Sequence, residues 1–310
     1  MSSSPIIHFL GHKEIDKARW NECIYQSVSP LIYGKTFYLD CIAPGWNGLV
    51  GDNYDWVMPL TSRRKYGISY LYQPAFTQQL GSFAKPGIIV PIKEIIDNLQ
   101  SRYRFCEINW NYAAPPLLSS LPVTIQAATN FILDLSPAYN RISGEYDSSL
   151  KKSLKKATTY QQYYISSEDF HGSIGLYKKY YGKRVPHVTN DDYVAFGNIC
   201  SYASKTGCLV CRSVIDTHGS ILASILLLLD ANRLYNIMDT TTETGRLTLA
   251  NHFLFDQLIR EFAGQNMLLD FEGSDLPGVK AFYSRFGPID QGYFGCRYNC
   301  LPWPLNILKT

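Results

Sequence analysis

Arg233-Leu-Tyr-Asn-Ile-Met-Asp239, the polar run Thr240-Thr-Thr-Glu-Thr-Gly-Arg246 and the segment Asn266-Met-Leu-Leu-Asp-Phe271 decide how this chain folds. The first has the short, partly alternating pattern of a strand, and the polar run breaks any regular period. Leu247, Ala250, Leu254, Leu258 and Phe262 then return at three- and four-residue steps, the spacing of one helix face. Gly264 stops that helix. Asn266 to Phe271 reads as a second strand, and Glu272-Gly-Ser-Asp275 as a tight polar turn at its carboxyl end. Pro277 stands where a first helical turn begins, with Ser274 or Asp275 able to cap the free amides. The helix from Gly278 to Arg285 ends at Phe286-Gly287-Pro288. Strand ends and helix amino termini converge in such a unit, which makes it a common seat for a ligand in an α/β fold.

Upstream, Ile221 to Leu229 is a near-continuous apolar run, the mark of a strand buried on both faces. With Gly207 to Ile215 it forms a hairpin across Asp216-Thr-His-Gly219, preceded by helices over Phe170 to Arg184 and Asp191 to Ser204. The first half follows the same order. Helices are expected over Lys13 to Tyr25 and Tyr33 to Ile42, then one or two strands within Trp46 to Leu60. A basic connection, Arg63-Arg-Lys-Tyr-Gly67, leads to a strand Ile68 to Tyr72, a helix Ile92 to Arg102 and a strand Phe105 to Trp110. No residue-level repeat links the halves, so the duplication is one of architecture. Pro- and Ser-containing stretches over Tyr112 to Pro122 and Leu133 to Ser143 suggest a boundary near residue 140. The expected fold class is α/β (α+β), with domains 1–140 and 141–310 and the final residues free to pack back on the first.

Composition narrows the function only a little. A chain of 310 residues favours two domains, and 46% hydrophobic with 18% charged residues describes an ordinary globular protein. A net charge of +3 is too small to argue for DNA. Met1-Ser-Ser-Ser-Pro5 has no basic signal-peptide region, and no apolar run is long enough to span a bilayer, so a cytoplasmic protein is expected. The 8 cysteines are scattered and read as reduced, mostly structural thiols. Cys208, Cys211, Cys296 and Cys300 are the one subset with a zinc-like spacing. Cys208 and Cys211, three apart on a strand, point to opposite faces, and no metal is expected. The basic helix spanning Lys151 and Lys156 has two readings: a solvated face, or a grip on phosphates of a nucleotide or RNA. Walker, Rossmann, His-Glu-x-x-His and Gly-x-Ser-x-Gly signatures are absent.

Asp270-Phe-Glu-Gly-Ser274 followed by Gly278-Val-Lys-Ala-Phe-Tyr-Ser-Arg-Phe-Gly287 resembles the carboxyl-terminal signature of the FemAB-like branch of the GNAT acyltransferases. The resemblance implies two tandem GNAT-like domains, each a mixed central sheet flanked by helices. It also implies transfer of an acyl or aminoacyl group to an amine, with the carboxyl-terminal half carrying the reaction and a cleft between the halves. In such a domain two parallel strands splay, and the exposed amides polarise the acyl carbonyl. The amine attacks directly, so the remaining need is a group to take its proton. Asp239 and Glu272, at the two strand ends, are the candidate bases, with Tyr283 as a proton donor; capping a turn or pairing with Arg246 or Arg285 is the structural alternative for the carboxylates. Thr240, Arg246, Asn251 and His252 lie where the donor would bind. Gln73, Gln78 and Gln79 on a loop after a strand, with Ser274 and Arg285, are candidate acceptor contacts; the glutamines could equally satisfy their own loop.

The implied donors are acyl-CoA or aminoacyl-tRNA, and the implied partners a small-molecule or peptide amine and, for the second donor, tRNA. Gly245-Arg-Leu-Thr-Leu-Ala250 lacks the Gly-rich phosphate loop of the CoA-binding relatives, since bulky side chains impede close approach of backbone to phosphate. A non-catalytic binding protein on the same scaffold is the alternative reading.

Overall fold

The ten residues Ile221–Asp230 form the strand around which the larger sheet is laid. Leu222 through Leu228 are all buried, as a strand covered on both faces requires. The structure is a computed structural model and describes residues 7–113, 121–272 and 275–307. It divides the chain into two units, one of Met1–Ala128 with Gly292–Thr310 and the other of Thr129–Gln291. The boundary therefore falls before residue 140, which lies inside a second-unit helix.

In the first unit the elements run β1 (His8–Leu10), α1 (Lys17–Gln26), α2 (Thr36–Ile42), β2 (Asn47–Val50), β3 (Trp56–Leu60), β4 (Ser62–Lys65), β5 (Ile68–Tyr72), β6 (Phe83–Ala84), α3 (Ile92–Arg102), β7 (Phe105–Trp110) and β8 (Thr124–Ala128). They make a four-stranded sheet ordered β1-β2-β3-β6 and part of a five-stranded one. β5 and β7 are parallel, joined across α3. The basic stretch expected as a connection is partly a strand, since Ser62–Lys65 pairs with β5 at the sheet edge.

The second unit continues with β9 (Phe131–Asp134), α4 (Tyr139–Gly144), α5 (Ser148–Ala157), β10 (Gln162–Ser166), α6 (Phe170–Tyr181), α7 (Asn190–Lys205), β11 (Leu209–Asp216), β12 (Ile221–Asp230), β13 (Arg233–Thr241), α8 (Glu243–Leu247), α9 (Ala250–Phe262), β14 (Leu268–Asp270), α10 (Pro277–Tyr283) and β15 (Ile289–Asp290). Its sheet runs β10-β11-β12-β13-β14-β9-β15. The β13–β14 pair is parallel, and every other pair in the sheet is antiparallel. The apolar face of α9, Ala250, Leu254, Phe255, Leu258 and Ile259, is fully buried in the core that also holds Ile225, Leu227 and Leu234 of the sheet. That burial, at about 25 cal/mol per Å² of apolar surface, is what fixes the helix on the sheet.

The chain then returns to the first unit as β16 (Tyr293–Asn299), inserted between β7 and β8 to complete the order β4-β5-β7-β16-β8. Among the described residues no helix is long and apolar enough to cross a membrane.

Candidate functional site

β13 and β14 pair only over Arg233–Leu268, Leu234–Leu269 and Tyr235–Asp270. β13 runs on to Thr241, but β14 stops at Asp270, and Glu272 turns the chain away at φ 53. A bulge adds to the separation: Leu227 faces Asn236 and Leu226 faces Met238, leaving Ile237 as the extra residue. Beyond Tyr235 the two chains thus part, and a cleft of about 760 Å³ opens between them. Asn236, Ile237, Met238 and Asp239 line it from one side, and Phe271 and Glu272 from the other. All of its lining belongs to the second unit.

Polar groups cluster at this wedge. Tyr283 donates its hydroxyl proton to Asp239 Oδ1 at 2.9 Å, and Asn236 Nδ2 donates to the Tyr283 oxygen at 3.2 Å. Burial pushes the Asp239 carboxyl above the ordinary range, although hydrogen bonds from Tyr283, Asn236 and Asn251 act the other way. Desolvation wins because protein packs closely round the group, even though one side opens on the cleft. Burial, and then the facing Asp239, also push the Tyr283 phenol well up, so Tyr283 keeps its proton. Tyr177, from α6, is raised to about 12, first by burial and then by Asp239. Glu272 is raised well above its usual value by burial alone.

Three acceptor oxygens around the cleft lack a hydrogen-bond partner among the described residues: Asn236 Oδ1, Asn251 Oδ1 and Glu272 Oε1. Asn236 is only 3% exposed. Buried acceptors are normally satisfied, so these three oxygens mark a strained polar cluster behind the cleft wall.

The opposite chemistry gathers at Thr241. Its amide donates to the Tyr181 hydroxyl at 3.4 Å, and Arg246 Nη2 donates to its carbonyl at 3.4 Å. Arg184 stands over the Tyr181 ring at 5.4 Å, and both arginines line the cleft. His252 meets the ring of Phe282 edge-on at 5.0 Å. Its pKa is lowered by burial and then by Arg285, which keeps the imidazole neutral. Gly245 does not serve close approach of a ligand: a Cβ there would lie 2.0 Å from the Leu222 carbonyl oxygen, so the glycine lets α8 press against β12.

No protein-family model matches this chain, and no curated protein does at the level of sequence. Solved structures do. FemX superposes with a TM-score of 0.60 at 13% identity, over 97% of this chain and 99% of its own. The C-terminal domain of a proposed lysylphosphatidylglycerol synthetase from Agrobacterium fabrum gives 0.56 at 11%, over 95% and 94%. A tandem GNAT protein from the clavulanic acid biosynthesis pathway gives 0.53 at 10%, over 96% and 99%. The chain has the FemX-like, tandem GNAT fold. At these identities the likeness is one of fold, as the motif at Asp270 to Gly287 implied.

The residues singled out in the sequence separate into three groups. Asp239, Glu272, Tyr283, Arg246, Asn251 and His252 all line the cleft. Thr240 does not: it is buried opposite Ser224, and Thr241 takes the cleft position. Arg285 is not part of the lining, and Ser274 lies outside the described residues. Gln73, Gln78 and Gln79 belong to the first unit. There Gln73 bridges Thr77 O at 2.7 Å and the Asn109 amide at 2.9 Å, while Gln79 accepts from the Tyr112 amide at 2.9 Å. Leu80 also bridges to Trp110 in parallel fashion, extending the line of β5 alongside β7. The loop therefore occupies, within its own unit, the kind of gap that stays open beyond β13 and β14.

Asn236, Tyr177, Tyr181 and Arg184 read in the sequence only as parts of a strand and a helix, not as site residues. The first is one of several polar residues in its strand, and the tyrosines are four apart on one helix, signals that are visible but not specific. Among the described residues no group of three His, Cys, Asp or Glu side chains converges as metal ligands. Cys208 and Cys211 belong to one unit, and Cys296 and Cys300 to the other.

Proposed function

We propose that this protein is an N-acyltransferase or aminoacyltransferase, moving an acyl group from a thioester or ester donor to a polar amine in the cleft between β13 and the end of β14. The observation that carries the reading is the open wedge with the Asn236–Tyr283–Asp239 chain of hydrogen bonds beside it. The donor carbonyl lies in the wedge, where strand amides hold its developing negative charge. The amine nitrogen, entering the cleft beside Asn236, Asn251 and Glu272, bonds to the carbonyl carbon. Asp239, with its raised pKa, takes the proton the nitrogen loses. The C–S or C–O bond of the donor breaks, and the leaving sulfur or oxygen takes the Tyr283 proton. Asp239 then returns its own to Tyr283 across their hydrogen bond, and both groups are reset. The net change is amine plus activated acyl giving amide plus free thiol or alcohol.

Two donor types stay within the proposal. A relative of the same fold was solved as a tandem GNAT protein without AcCoA, and another is a proposed synthetase of lysylphosphatidylglycerol. Arg184 and Arg246 supply positive charge for donor phosphates in either case.

The test is amide formation by the purified chain from acetyl-CoA, longer acyl-CoAs or aminoacyl-tRNA, using a panel of amino acids and amines. Asp239→Asn is expected to lower kcat by about 10²–10⁴-fold and Tyr283→Phe by about tenfold or more. Full activity in both variants would remove this mechanism. Tight ligand binding with no amide product from any donor would instead favour a binding protein on the same scaffold.

A further inference from the structure

Part of the cleft has no use for an amine or for phosphates. Leu276, Val279 and Phe282, just before and along α10, share its lining with Ile237, Met238 and Leu249. Leu276 is 67% exposed despite being wholly apolar, while Val279 and Phe282 are only partly buried where they pack on the core. Gly278, between Leu276 and Val279, also lines the cleft, and among the described residues nothing lies within 4 Å of where its Cβ would stand. The wall therefore has both apolar surface and free space before it. An acetyl group fills little more than two waters at about 30 Å³ each, against a cleft of about 760 Å³. Polar parts of either substrate would lose hydrogen bonds on such a wall, whereas a hydrocarbon would gain by covering it.

We propose that the wall of Leu276, Val279 and Phe282 holds an extended apolar body on the acyl group, an aliphatic chain or a large apolar side chain, so that long acyl donors are selected over acetyl or glycyl ones. The inference rests on the transferase reading for the identity of its ligand. It goes further in assigning the acyl group's size and polarity. Ile237 and Met238, which follow Asn236 in β13, line the same cleft as the wall, so a carbonyl in the wedge and an apolar chain on the wall share one cavity.

Calorimetry on the purified full chain with acetyl-, hexanoyl- and decanoyl-CoA, and with glycyl- and phenylalanyl-tRNA, tests this directly. Affinity is expected to rise about fourfold per methylene until the wall is covered. The tRNA pair separates an aminoacyl source of the same apolar body from a fatty-acyl one. Gly278→Leu places a side chain in the free space at a helical position that favours leucine over glycine, so it should fold with a melting temperature no lower than that of the wild type. It is expected to cut the preference for decanoyl over acetyl by roughly tenfold or more. Affinity flat across both series, or a Gly278→Leu variant with the preference intact, would overturn the inference. So would a gain that follows the alkyl length of the amine, compared with ethylamine and decylamine, and not that of the acyl group. Chain-length-dependent binding with no amide product would sink the transferase reading alone, and product formation indifferent to chain length would sink this inference alone.

Discussion

Glu272 carries two local costs at once. Its backbone adopts φ 53, a left-handed conformation that costs a non-glycine residue about 1 kcal/mol, and its carboxylate oxygen Oε1 has no hydrogen-bond partner among the described residues. Because burial raises its pKa, folding favours the protonated form. The residue's contribution is thus most favourable below the unfolded value of about 4.3 and is lost as pH rises through the higher folded value. Glu272→Gln keeps the shape and removes the ionisation. It is expected to raise the melting temperature at pH 8 by roughly 2–4 °C, with the gain shrinking towards pH 4; a gain that is constant with pH would show that charge is not the cause. Asp239, also raised, predicts an acid limb in the rate profile of kcat/KM above the ordinary carboxylate range, present in the wild type and absent in whatever activity Asp239→Asn retains. At this scale the sequence made Asp239, Glu272 and Tyr283 legible, because position at strand ends and on the following helix is enough to bring them near one another. Asn236 was not legible. A polar residue in a strand reads the same whether it faces solvent or a cleft, and neither the bulge at Ile237 nor the early end of β14 is visible in the sequence.

Three elements with a buried face were readable to the residue, and others, such as Lys17–Gln26 and Leu268–Asp270, only to within a few residues. Ile68–Tyr72, Ile92–Arg102 and Phe105–Trp110 have the bounds that their periodicity predicts, because period and burial agree there. β4 was hidden by its charge: Ser62-Arg-Arg-Lys65 is an edge strand, where lysine and arginine protect an open row of backbone groups. β16 was hidden by Gly295 at its middle, although the strand lies in the interior of its sheet. The short helix α8 depends on a single atom's absence. Gly245→Ala would set a methyl group against the Leu222 carbonyl, forcing α8 off β12. The expected loss is about 2 kcal/mol, or a melting temperature lower by roughly 4–8 °C. Circular dichroism melts would check it, and a neutral substitution would mean that α8 can shift at no cost.

Across the whole molecule, the two units differ in how the chain builds them. The second is one continuous run, residues 129 to 291, with a core of its own. The first is assembled from two separated pieces, and the later piece supplies β16, which pairs with six residues of β7 and five of β8. A fragment of residues 129–291 is therefore expected to melt cooperatively by circular dichroism, while residues 1–128 alone should not. Cooperative melting of the shorter amino-terminal piece would show β16 to be dispensable. No single cut in sequence composition could reveal this division, since the join at residues 128 and 129 falls between two β-rich segments with no linker of distinctive make-up.

The placement of β16 also reverses the usual order of events during synthesis. As the polypeptide leaves the ribosome, residues 129 to 291 are all available before the strand that fills the five-membered sheet has been translated. The portion made first must wait, with β7 and β8 facing a vacancy, until the portion made second has had time to fold. A chaperone recruited to nascent chains should accordingly dwell on the amino-terminal segment, and it should let go only when Tyr293 to Asn299 emerge.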